Sequence, residues 1–163
     1  MAACRWTEAM SVGVPALDSD HRCLVRIINL LEEVERGADA GSTIETVLDT
    51  LSMYARYHFA REERLMDSCG FPASQFHRDE HAEFSGHIHA LRTRLAGRAD
   101  PALARDLLAY LTSWLRHHIL IQDMAYKPYI RGFDDDENDA DTASRSTGPV
   151  SCWISSPVIE KHS

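Results

Sequence analysis

Tyr57-His58-Phe59-Ala60-Arg61-Glu62-Glu63 lies within a run from Gly41 to Gly70 that carries helical periodicity along its length. On a helix, His58 and Glu62 stand one turn apart on the same face, so both reach a single metal ion or a single buried partner. Val47, Leu51, Tyr54 and Leu65 share that face, which makes the two polar side chains exceptions on an otherwise apolar stripe. Three further segments repeat this pattern.

Upstream, His21, Leu24, Ile28 and Leu31 follow the same alternation, with Asp18 or Ser19 as the expected cap and Gly37 as the stop. Ser42-x-x-Glu45 is a capping box that should open the second helix. Downstream, Pro72 falls in the expected first turn of a third helix whose stripe is His77, His81, Phe84, Ile88, Leu91 and Leu95, up to Gly97. Asp100-Pro101 is a cap followed by a first-turn proline, and a fourth helix carries Leu107, Leu111, Trp114, His118, Ile121 and Ala125 before Pro128. Four helices with short links pack antiparallel, so the expected fold is all-α, an antiparallel up-down four-helix bundle spanning residues 1–132. Its first 17 residues, with Gly13 and Pro15, form an extended arm whose Trp6, Val12 and Val14 lie over apolar surface. Residues 133–163 are acidic, rich in Ser and Thr and without period, which reads as a disordered tail. Within it, Val150, Cys152, Trp153, Ile154, Val158 and Ile159 form the stretch suited to a protein partner.

The chain has 163 residues and is 44% hydrophobic, enough for one domain with its own core. A net charge of -8 excludes the basic stripe that nucleic acid or an anionic membrane surface would require. No apolar run reaches membrane-spanning length and no secretory signal is evident, so the expected compartment is the cytoplasm. Cys4, Cys23, Cys69 and Cys152 are widely spaced without a C-x-x-C pair and are expected as free thiols.

His21, His58, Glu62, His77, His81 and His118 all fall on the buried seams, and one end of an antiparallel bundle brings them level. Five imidazoles and a carboxylate in one core would each bear a desolvation cost, and a bound metal is the simplest partner common to all. The set holds more histidine than one tetrahedral zinc uses and too little oxygen for calcium or magnesium. Two imidazole-binding ions that share bridging carboxylates fit better, iron first. Glu63, Asp79, Glu80 and Glu83 read as surface charges; Tyr54 and Tyr126 read first as buried packing with a satisfied hydroxyl, and second as hydrogen-bond donors to a ligand side chain.

Trp6, Gly13-Val14, Asp18-x-x-His21-x-x-Leu24, His58-Phe59-x-x-Glu62-Glu63-x-x-Met66, Phe71-Pro72, His77-x-x-x-His81-x-x-Phe84 and Trp114-Leu115-x-x-His118-Ile119-x-x-x-Asp123-x-x-Tyr126 together resemble the hemerythrins, the bacterial ones most closely. The resemblance spans residues 6 to 131. It implies a non-haem di-iron centre that binds O2 reversibly, for transport, storage or sensing. The alternatives are a regulatory module acting through a partner, or a di-iron protein that handles nitric oxide, peroxide or iron. With the ligand set complete and no further acid/base pair evident, an enzyme is not expected. Carried over by position, His77, His81 and His118 would hold one iron and His21 and His58 the other, with Glu62, Asp123 and a solvent-derived oxo or hydroxo group bridging. Leu24, Phe59, Trp114, Leu115 and Ile119 would line the O2 pocket. The pattern also selects His118 over His117. One feature resists a regular helix: Asp123 follows His118 by five residues, a rotation of about 140° at 3.6 residues per turn, so a local distortion or the nearness of the helix end must bring it round.

Overall fold

The computed structural model describes residues 4–36, 40–97 and 102–130. Four helices form the bundle: α1 (Pro15–Glu35), α2 (Ala40–Ser68), α3 (Ser74–Gly97) and α4 (Leu103–His117). α4 continues through a π-helical turn, His118–Asp123, into a last α-helical turn, Met124–Tyr126. α1 packs on α2 and α4, and α3 packs on α2 and α4, which closes the bundle. The expected tail and its apolar patch lie outside the described residues, as do the Asp100-Pro101 cap and Cys152.

Helix starts differ from the sequence expectation in three places. α1 begins at Pro15, three residues before Asp18, because proline at the first position is already set for helical φ and has no N–H to leave unpaired. Asp18 instead reaches back, its carboxylate accepting from the Val12 N–H at 2.8 Å and the Ser11 hydroxyl at 2.6 Å, and so fastens the arm to the helix. Ser42 lies within α2, so the Ser42-x-x-Glu45 box does not open it. Pro72 precedes α3 in a turn. The end of α2 follows expectation: Gly70 at φ 66° lets the Phe71 N–H reach the Met66 carbonyl at 3.0 Å and its own N–H reach that of Asp67 at 3.3 Å, a Schellman closure.

The arm is a strap, as expected. Cys4 exchanges two backbone hydrogen bonds with the Asn29 side chain, at 3.0 and 2.9 Å, and Trp6 lies beneath the Arg22 guanidinium. A short 3-10 turn, Glu8–Met10, then buries Met10, and Val12 is 1% exposed. Cys4, Cys23 and Cys69 are free thiols.

The seams of α1 and α3 match the predicted stripes, save that Leu95 is half-buried. Two stripes shift. On α2 the inward position after Glu62 is Met66, with Leu65 half-buried. On the fourth segment, Ile121 (58% exposed) and Ala125 face outward, while Ile119, Asp123, Tyr126 and Ile130 are buried. The π turn causes this. Its i→i+5 bonding puts one extra residue into the turn, so every inward position beyond it moves on by one. The core divides accordingly into a large cluster along the bundle and a smaller one, Val12, Leu17, Met66, Phe71, Tyr126 and Ile130, that closes the end where the polar side chains converge.

Candidate metal centre

Each helix delivers its polar exceptions to that end. α1 contributes His21, α2 His58 and Glu62, α3 His77 and His81, and the segment following α4 contributes His118 and Asp123, all at most 3% exposed. The structure thus brings together all seven residues expected as ligands. His117, by contrast, is exposed. The donor atoms of Glu62, His77, His81 and His118 fall within 4.8 Å of one another, and so do those of His21, His58 and Glu62. Glu62 therefore belongs to both groups. Its Oε2 stands 3.1 Å from His81 Nε2, 3.4 Å from His77 Nε2 and 3.6 Å from His58 Nε2. Asp123 also spans the two: Oδ2 is 3.2 Å from His21 Nε2, while Oδ1 is 3.4 Å from His77 Nε2 and 3.3 Å from His118 Nε2.

Asp123 reaches this position through the π turn. Five residues after His118 would be far off its face in a regular helix, but in a π turn the i and i+5 positions share a side. Such turns are rare inside α-helices and recur at functional sites, where they re-aim one side chain.

A metal fits what the side chains leave open. His21 Nε2, His58 Nε2 and both oxygens of Asp123 are buried without a hydrogen-bond partner among the described residues. Buried polar atoms cost roughly 1–3 kcal/mol each when unpaired, so their convergence calls for a partner that accepts lone pairs from all of them. Five imidazoles and two carboxylates suit first-row transition-metal cations rather than calcium or magnesium.

The far side of each ring matters as much, since the atom opposite the metal fixes the tautomer. His58 Nδ1 lies 3.2 Å from a carboxylate oxygen of Asp20, which Arg61 also engages. His81 Nδ1 lies 2.8 Å from Glu63, and His118 Nδ1 lies 3.1 Å from Glu80, which also pairs with His117. Glu63 and Glu80, expected as surface charges, are therefore orienting groups for the cluster. Asp20 is fully buried and was not anticipated as part of it. The signal was available: each stands one residue from a seam position, or one turn from a ligand, and carries a charge. Tyr126 takes the second of its two expected roles as well as the first: it is fully buried, and its hydroxyl donates to Glu62. Phe59 stacks on His81 at 3.8 Å and Trp114 on His118 at 4.2 Å, so both rings cover the three-histidine group. Leu24, Leu115 and Ile119 are buried in the same core cluster as Phe59. Replacing Glu80 with alanine is expected to weaken metal affinity about 10- to 100-fold, measured by competition with a chelator, because His118 loses the group that orients it.

Charges in the cluster are strongly coupled. Burial opposes ionisation of Glu62, but His58, His118, His77 and His81 together hold its carboxyl well below the usual range. Burial also works against a charged His118, yet Asp123, Glu62 and Glu80 outweigh it and raise its pKa to about 10. His21 is raised as well, burial being overcome mainly by Asp123, whereas His58 is lowered by burial. With no metal bound, His118 therefore carries a proton at neutral pH that any cation must displace. Metal uptake should release protons, and affinity should rise with pH up to about 10. Calorimetric titration in two buffers of different ionisation enthalpy reads this directly.

Comparison with known proteins points the same way. A family model described as the hemerythrin HHE cation binding domain matches residues 12–130. The chain is 30% identical over 131 residues to the bacteriohemerythrin of Pseudomonas paraeruginosa, an alignment covering 80% of this chain and 84% of that one. It is 32% identical over 122 residues to the myohemerythrin of Riftia pachyptila, covering 75% and 89%. Among solved structures, the crystal structure of a hemerythrin point mutant superposes with a TM-score of 0.71 at 28% identity, covering 80% of this chain and 98% of the other. With the domain match spanning most of its length and the four-helix architecture in common, this chain belongs to the hemerythrin family.

Proposed function

We propose that this protein binds dioxygen reversibly at a pair of iron ions, for oxygen carriage or storage. His77, His81 and His118 would hold one iron and His21 and His58 the other, with Glu62 and Asp123 shared. The observation that carries this reading is the pair of carboxylates common to two unequal groups, three imidazoles against two, so that one side has a donor fewer. When bound, the two irons would supply the electrons that hold O2 and take them back on its release. The chain's own part is to fix the imidazoles through Asp20, Glu63 and Glu80, and to keep water away with Leu24, Phe59, Trp114, Leu115 and Ile119. Oxygen uptake by the anaerobic ferrous protein should saturate at about one O2 per iron pair; continued consumption under a reductant in excess would contradict carriage and indicate turnover.

Leu24 is fully buried one turn after His21. Its truncation to alanine should cost about 2–5 kcal/mol of stability and open a path for water beside the two-histidine group. The expected result is faster autoxidation of the ferrous protein in stopped-flow spectroscopy, and an unchanged rate would remove Leu24 from the pocket. Removing residues 134–163 separates carriage from sensing: a carrier keeps its oxygen affinity and loses no bound partner.

A further inference from the structure

Two tyrosines are fully buried in the polar layer, and they are satisfied differently. Tyr126 donates to Glu62, whereas the Tyr54 hydroxyl has no hydrogen-bond partner among the described residues. Tyr54 is 0% exposed and lies one turn before His58 on α2. Its ring stacks on the His58 imidazole, with centroids 4.5 Å apart and planes 21° from parallel. That stack places the phenol ring directly beside the imidazole, at the edge of the His21/His58/Glu62 group. Phe59 meets the ring edge on and Phe84 meets it at a tilt, so they brace it with apolar surface.

A phenol hydroxyl is protonated at neutral pH and can donate. An unpartnered buried hydroxyl carries a desolvation cost that a phenylalanine of the same shape would avoid. The cost is rational if the acceptor arrives with a ligand.

We propose that Tyr54 is a specificity-determining donor whose hydroxyl hydrogen-bonds to a small anionic or electron-rich ligand taken up on the His21/His58 side of the cluster. This rests on the iron-pair reading above and adds to it a protein donor that favours ligands accumulating negative charge. Such a donor in a dry site contributes more than the same bond in water, and it selects against neutral ligands of equal size.

Azide, a small anion that coordinates ferric iron, is the probe. In the ferric, iron-loaded wild type its binding gives an absorption band, and whether that band appears judges the iron-pair reading alone. The comparison with Tyr54→Phe judges this inference. The expected result is two irons retained, an unaltered far-UV circular dichroism spectrum, azide affinity weakened about 10-fold and a shifted azide stretching frequency, the change a single lost hydrogen bond to a charged group produces. Unchanged affinity and frequency would overturn the proposal. So would a variant that loses iron, because Tyr54 would then be a strut of the site rather than a contact for its ligand.

Discussion

Glu62→Ala is expected to abolish retention of both irons, whereas His58→Ala should keep the three-histidine side loaded. Glu62 belongs to both donor groups and, with Asp123, spans them: its Oε2 faces His77 and His81 on one side and His58 on the other. Its removal also leaves the Tyr126 hydroxyl without its acceptor and takes away one of the charges that hold His118 protonated in the metal-free protein. Deleting one member of a buried, coupled charge set costs roughly 3–5 kcal/mol, because the partners stay buried and unpaired. His58 belongs to the two-histidine group alone, and His77, His81, His118 and Asp123 remain in place without it. Metal analysis of the purified variants after iron loading decides the matter: equal retention of two irons in both would contradict the shared role of Glu62.

The π turn makes a prediction of similar size. Inserting one alanine between Gln122 and Asp123 should destroy the centre, since the added residue rotates Asp123 and Tyr126 by about 100° away from the seam. Deleting Ile121 should be tolerated by comparison. That residue is exposed, and its loss converts the wide turn to an ordinary one while His118 and the aspartate become i and i+4 neighbours, still on one face. Iron content and thermal stability of the two variants test it. If the deletion is as damaging as the insertion, the π geometry itself is required rather than the register it sets.

The bundle and the meeting of the ligand histidines were legible because both depend on periodicity. A polar residue at a seam position is buried whatever its neighbours do, and antiparallel packing fixes its depth. What escaped has definite physical causes. The extra residue in the π turn leaves no compositional mark, so the stripe drawn through Ile121 and Ala125 was carried past the point where the phase slips; only the five-residue interval to Asp123 betrayed it. Glu63 and Glu80 read as surface charges because they border the seam, and their value comes from the far nitrogen of a histidine on a neighbouring helix, which a single-helix pattern does not contain. Asp18 has the residue type of a cap, but the Val12 N–H and the Ser11 hydroxyl of the arm claim its carboxylate instead. For Tyr126 residue type leaves packing and a hydrogen bond to a ligand both open, and its bond to Glu62 depends on the same phase slip that brings Asp123 inward.

The central claim is that two irons, held by unequal histidine groups around Glu62 and Asp123, take up dioxygen and give it back. An anaerobic ferrous sample exposed to O2 and then degassed, followed in the visible region, tests it most directly. A charge-transfer band that appears on exposure, vanishes on degassing and returns over repeated cycles is the predicted result. A single irreversible conversion to the ferric protein, with no band recovered in the next cycle, would contradict it.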